Sequence, residues 1–430
     1  MALHLIANRR KVLPEPNACV ERHAWEKKWI GCRRLSSSWK FLVDLLYSQM
    51  STDTLGLSGN SSELMHDFRS YELDVIDALL ESVCSSHVDA PVGRRLADPS
   101  LLSSMWQKAI RRGHEGLASE AAIALWEIDR EYVWRRIRSI AVEDVSVGNL
   151  GLVAQVIAVS SKAALLRRVG ESRVLVHLTR MLARSPKCRT GCELLVWRAN
   201  SAYDGSGNDE ASTRGLLEAG TDASDWARVV DAWLLTESHS VRRSGHWKQV
   251  SKACPEKRRK FLEAIGASEA SSYVAMKGGR TDRLNVMVPI VDQLKALSAM
   301  TSTDAGLQCM RPESINGYPA FAFCLYSKPG REALRMILRS TGWGHRLARM
   351  GVSNLVGALG SLVFYVEGGL CDASLRVAHA PKIQWISRAS QLGELGVPAE
   401  AIDELLEDAR RDLPLINRYR RLIRLSGQED

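Results

Sequence analysis

The stretch DPSLLSSMWQKAIRRG, residues 98–113, decides the fold class. Asp98 before Pro99 is a helix N-cap followed by proline at the first helical position, where a missing N–H is harmless. Behind them Leu101, Met105 and Ala109 interleave with Leu102, Trp106 and Ile110 at spacing four, which predicts a helix with one broad apolar face. Gly113 and Gly116 punctuate it. A second helix follows through Leu117, Ala121, Leu125 and Trp126, then a third through Val133, Trp134, Ile137, Ile140 and Ala141. After Gly148 and Gly151, residues 152–169 and 174–183 keep the helical period, and Ser185-Pro186 stops it. Short connections between successive helices make antiparallel neighbours in a compact bundle. The expected fold is mostly α, with Trp106, Leu125, Trp134 and Ile137 buried where the first three helices meet.

Outward from this bundle, four regions are expected. Residues 1–62 form a basic, Trp-containing region and a Ser/Thr/Gly linker, with a helical stretch over 41–50. Residues 63–203 form the bundle, entered by a helix over 63–83 and a turn at Pro91-Val92-Gly93. Residues 204–270 open on a polar loop and continue as a linker with helical segments at 226–235 and 256–265. Residues 271–430 are mainly helical at 331–338, 352–366 and 398–410, with turns expected at Gly278-Gly279, Asn316-Gly317 and Pro329-Gly330. Residues 321–326 fit a short strand or a buried helix turn equally well.

The 430 residues are 45% hydrophobic and 25% charged, which excludes disorder as the main state. The apolar stretch 350–366 falls short of the ~20 residues of a spanning helix. No secretory signal opens the chain, and nine scattered cysteines form no disulfide framework, so a cytoplasmic protein with reduced thiols and no membrane partner is expected. Cys188 and Cys192 lack the further ligands of a zinc site.

Catalytic patterns fail in turn. There is no phosphate-cradling loop with its lysine, no nucleophile elbow and no paired-histidine metal helix. Asp204, Ser206 and Asn208 imitate a calcium loop, but Asp209 and Gly215 stand where glycine and glutamate belong. His239 and His246 flank Arg242-Arg243, which would repel a cation. No catalytic residue, metal or cofactor is therefore expected, although an enzyme with an unrecognised site in 270–380 remains an alternative.

Residues 99–199 resemble the helical collar that follows the ATPase module in replication-associated recombination ATPases, relatives of the Werner-interacting ATPase in the clamp-loader clade of AAA+ proteins. The resemblance rests on Met105-Trp-Gln-Lys-Ala-Ile-Arg-Arg-Gly113, Ala121-Ala122 with Leu125, Tyr132-Val-Trp-Arg135-Arg136-Ile, Ala141-Val-Glu143-Asp144-Val, and Leu182-Ala-Arg-Ser-Pro186-Lys187. It implies oligomerisation or partner packing. It does not imply ATP hydrolysis, because residues 1–98 carry no nucleotide motif.

Two groups of side chains are candidates for function. Glu143 and Asp144 close a helix whose C-terminal dipole disfavours carboxylates. They are expected either to cap the next segment or to meet a cation from another helix, with Arg135, Arg136 and Lys187 as the neighbouring structural polar residues. Residues 1–40 carry nine basic against three acidic residues, two thirds of the net +9 of the chain. Trp25, Trp29 and Trp39 lie among Lys27, Lys28, Arg33 and Arg34, which suits a surface that tracks phosphates and stacks bases; an amphipathic helix with a solvated charged face is the alternative. Lys257-Arg258-Arg259-Lys260 and Arg418, Arg420, Arg421 and Arg424 are further basic runs. The expected function is a non-enzymatic DNA replication or repair accessory that binds nucleic acid or a replication protein. Its rival is a structural adaptor that docks on an AAA+ ATPase or on a second copy of itself.

Overall fold

The computed structural model describes residues 68–86, 98–200, 239–243, 246–251, 255–278, 283–296, 302–305 and 312–425, and helices dominate them. The first half comprises α1 (Arg69–Ser85), α2 (Pro99–Arg111), α3 (Glu115–Ile128), α4 (Arg130–Ile140), α5 (Leu150–Val159), α6 (Ala163–Val169), α7 (Glu171–Arg184) and α8 (Thr190–Asn200). An antiparallel hairpin, β1 (His239–Arg243) with β2 (His246–Ser251), precedes α9 (Pro255–Ala264), α10 (Glu269–Tyr273) and α11 (Val288–Ala296). Next come β3 (Ser302–Ala305), β4 (Ser314–Ile315), β5 (Tyr318–Pro319), α12 (Lys328–Ser340), α13 (Gly342–Arg349) and α14 (Leu355–Val363). The chain ends with β6 (Ala373–Arg376), α15 (Ala380–Glu394), α16 (Ile402–Arg411) and α17 (Leu413–Arg421). β3 pairs antiparallel with β6, and β4 with β5.

Local chemistry explains the starts and stops. The Asp98 carboxylate accepts the N–H groups of Ser100 and Leu101 at 2.8 and 3.0 Å and so starts α2. Ser185-Pro186 ends α7, as expected. Asn316 and Gly317, at φ +50° and +81°, make the tight turn between β4 and β5. Pro329-Gly330 is a correction to the expected turn, because both residues lie in the first turn of α12, capped by Ser327. Gly330 is required there, since a Cβ would lie 2.2 Å from the Cys324 carbonyl oxygen. The run 152–169 is not continuous either; it breaks at 160–162 into α5 and α6. The undecided stretch 321–326 begins as a single 3-10 turn over Ala320–Ala322. Expected features at 41–62, 91–93, 204–215 and 226–235 lie outside the described residues.

Ser70–Asp430 form one compact unit. The bundle of 63–203 and the segment 271–430, expected as separate domains, share one interior there. α2 lies at its centre, against α3, α7, α12 and the 3-10 turn at 320–322. Trp106, Leu125, Trp134 and Ile137 are all buried. A second apolar cluster gathers Leu334, Ile337, Leu347, Leu359, Leu362, Leu405 and Ile416 from α12, α13, α14, α16 and α17. The helical run Arg130–Val159 has the length and apolarity of a membrane span, but 67% of its apolar window is buried inside the protein.

Trp106 is fully buried, so Trp106→Ala should remove ~3–5 kcal/mol from the stability measured by urea unfolding. A loss below about 1 kcal/mol would contradict the placement of α2 at the centre.

Candidate functional site

α2 ends in two consecutive arginines, and each meets a widened helical turn: Arg111 the carboxylates of one, Arg112 a backbone carbonyl of another. α4 passes into a π turn over Ala141–Val145, and α14 into another over Phe364–Gly368. Such turns insert an extra residue into a helix and re-aim its side chains. Neighbouring positions of a regular α-helix do not face one partner, yet Glu143 and Asp144 both reach Arg111. Arg111 Nε lies 2.5 Å from Asp144 Oδ1 and Nη2 lies 2.8 Å from Glu143 Oε1. Nη1 donates to the carbonyl of Gly368 at 3.1 Å.

Arg189, just before α8, adds a second guanidinium, 3.3 Å from Asp144 and 3.7 Å from Glu143. The Phe364 ring supports both cations, with centroids 5.3 Å from Arg111 and 5.2 Å from Arg189. Gln107 Nε2 donates to Asp144 Oδ2 at 2.8 Å, while its Oε1 accepts from Arg136. Asp144 is fully buried and both its oxygens are engaged. Burial pushes the Glu143 carboxyl up, but Arg111, Arg189 and Arg136 together hold it below the usual carboxylate range. Burial pushes the Cys192 thiol nearby up to about 12.

Arg112 completes a parallel arrangement. Its Nη2 donates to the Glu367 carbonyl at 2.6 Å, and the Glu367 carboxylate receives Arg420 of α17 in a two-pronged contact at 2.8 and 3.1 Å. The end of α2 is thus bonded to the first half of the unit and linked, through Glu367, to its last helix.

Arg136, Glu143 and Asp144 are brought together as candidates, but not by capping. Neither carboxylate caps the following segment; Asn149 caps α5 instead, and the cations on Glu143 and Asp144 come from α2 and from Arg189. Lys187 is buried nearby, with its ammonium on the carbonyls of Ala183 and Ser185 at the end of α7. Its backbone joins β6, donating to Ala373 and accepting from Leu375, each at 2.8 Å. Arg135 is exposed and outside the cluster. Lys27, Lys28, Arg33, Arg34, Trp25 and Trp29 lie outside the described residues. The basic runs divide: Arg258 and Arg420 are buried, Arg259 pairs with Glu256 and Glu263, and Arg418, Arg421 and Arg424 are exposed. Sequence reasoning missed Gln107, Arg111, Arg189, Phe364 and Glu367.

These paired charges cross-link α2, both π turns, the segment before α8 and α17. Among the described residues no group of three or more His, Cys, Asp or Glu is placed to hold a metal ion. Compared with known proteins, the chain matches no family model, no curated protein and no solved structure.

Asp144→Asn leaves two buried guanidinium groups short of a counter-ion, so urea unfolding should show a loss of ~3–5 kcal/mol. A near-neutral result would mean that water reaches the cluster. Lys187 gives a pH signature. Burial lowers its ammonium to about 8, below the unfolded value of about 10.4. Below pH 8 both states are protonated and the folded state bears the full cost. Between these values only the unfolded chain holds the proton, so the contribution of Lys187 becomes more favourable as pH rises. Wild type should therefore gain roughly 1–3 kcal/mol on Lys187→Met between about pH 7 and 10. A difference that stays constant over that range would place the ammonium in water.

Proposed function

We propose that the protein is a non-enzymatic accessory of DNA replication or repair that binds nucleic acid through a cationic face, with residues 99–199 acting as a collar-like bundle. The observation that carries this reading is a set of unpaired arginines on α12, on α17 and just past its end. These helices run antiparallel: Asp412, at the start of α17, accepts from Trp343 just past α12 at 2.9 Å, and Ile423, past the end of α17, accepts from Asn316 in the hairpin before α12 at 3.0 Å. α12, α13 and α17 hold nine Lys or Arg and a single acid, Glu332. Arg346, Arg420 and Arg421 are satisfied by Asp408, Glu367 and Glu313. Arg335, Arg339, Arg418 and Arg424 are exposed and meet no carboxylate among the described residues. Guanidinium groups in such an array match phosphate oxygens in geometry as well as charge. The excess of basic residues with tryptophan in 1–40 supports the same reading.

Four phosphate contacts should give a slope of log K against log salt of roughly −3 to −4 on duplex DNA, measured by fluorescence anisotropy. Changing Arg335, Arg339, Arg418 and Arg424 to Gln should flatten that slope and weaken all sequences alike, because backbone contacts carry no base information. A second variant with Gln at Lys27, Lys28, Arg33 and Arg34 measures the share of the N-terminal region. Absence of binding at low salt rejects nucleic-acid binding; a slope unchanged in both variants rejects these arginines and lysines as the contact face. The native mass of the protein, alone and mixed with a clamp-loader-type ATPase, would then test the adaptor reading.

A further inference from the structure

Lys108 is the third cation of α2, and it has no hydrogen-bonded carboxylate. Its ammonium donates to Ser104 Oγ and to the carbonyl of Phe321, each at 2.8 Å, and the residue is 3% exposed. Ser104 Oγ in turn lies 3.3 Å from Cys324 Sγ. Since the serine oxygen accepts from Lys108, its own proton is free to point at the sulfur. The N–H of Tyr326 also donates to Cys324 Sγ, at 3.3 Å. Cys324 lies in the loop before α12, bonded through its N–H and its carbonyl to the capping Ser327, near the positive end of the helix dipole. The polar groups bonded to the sulfur can thus both donate to it, and a positive charge stands behind Ser104. That is the surrounding a thiolate needs, and the thiolate is the counter-ion that a buried ammonium requires. Burial pushes the Cys188, Cys192 and Cys371 thiols up; at Cys324 burial is outweighed by Lys108, which holds the thiol below its ordinary value.

We propose that Lys108 and Cys324 are an oxidation-sensitive pair that a peroxide joins covalently, as a sulfenamide, tying α2 to the loop that leads into α12. The thiolate attacks one peroxide oxygen; the S–O bond forms, the O–O bond breaks and hydroxide leaves. The sulfenic acid is neutral, so the ammonium loses its counter-charge in a dry site and gives its proton to the hydroxide, forming water. The freed amine then attacks sulfur. The S–N bond forms, the S–O bond breaks, and the departing hydroxide takes the amine proton as a second water. In sum, thiol, amine and one peroxide give one S–N bond and two waters.

The experiment is peptide mapping of the folded wild-type protein after incubation with hydrogen peroxide, digested without reductant. The expected product is a pair of peptides containing Lys108 and Cys324, joined, lighter than their sum by two hydrogens, and separated again by dithiothreitol. In Lys108→Met, checked for fold by circular dichroism, the joined pair should vanish and Cys324 should proceed to sulfinic acid. Because the mapping uses wild-type protein, it does not depend on that variant folding. Cys324 recovered from wild type only as free thiol, as sulfenic or sulfinic acid, or in a disulfide would overturn the proposal.

Discussion

The contact on which the rest of the structure depends is the ion pair between Arg111 and Asp144. α2 is buried on every side, so its cations are bonded within the protein. A guanidinium in a dry interior is tolerated only when its charge and its donors are matched. The matching groups are far apart in sequence: Glu143 and Asp144 from one π turn, and the Gly368 and Glu367 carbonyls from another. The guanidinium charges at the end of α2 therefore meet all of these partners only when the segment after residue 312 has closed over it. This explains in physical terms why Ser70–Asp430 make one unit and not a bundle followed by a separate domain.

Much of the local structure was legible. The Asp98-Pro99 cap, the burial of Trp106, Leu125, Trp134 and Ile137, and the stop at Ser185-Pro186 follow from short-range chemistry, which acts the same way in any context. What hydrophobic period could not reveal is depth. It marks one side of α2 as apolar and leaves Ser104, Gln107, Lys108 and Arg111 for solvent, yet each of these is 7% exposed or less. Their cover comes from a distant part of the chain, and nothing in residues 98–113 encodes it. Pro329-Gly330 failed for a different reason: proline followed by glycine signals a turn, but proline also opens helices, and the close approach to Cys324 selects the second use.

The candidate site was half visible. Adjacent carboxylates at a helix C-terminus are electrostatically misplaced, and that anomaly marked Glu143 and Asp144 as needing partners. The partners themselves left no signal, because an arginine bound for an ion pair and one bound for solvent look alike in sequence. The run 418–424 shows this within a few residues. Arg420 goes inside to Glu367, whereas Arg418 and Arg424 remain on the surface.

That division connects the interior to the outside of the protein. Positions two apart on a helix point about 200° away from each other, so fixing Arg420 inward fixes Arg418 outward. The two-pronged contact of Arg420 with the Glu367 carboxylate, together with the single bond from Arg112 to the Glu367 carbonyl, sets both the rotation and the height of α17 against α2. Buried ion pairs add little net stability over apolar packing, but their geometry admits fewer registers than a greasy face does. α12, packed against both α2 and α17, inherits the same registration. The exposed arginines of α12 and α17 are thus presented as a fixed array, because charges at the end of α2 hold the helices that carry them.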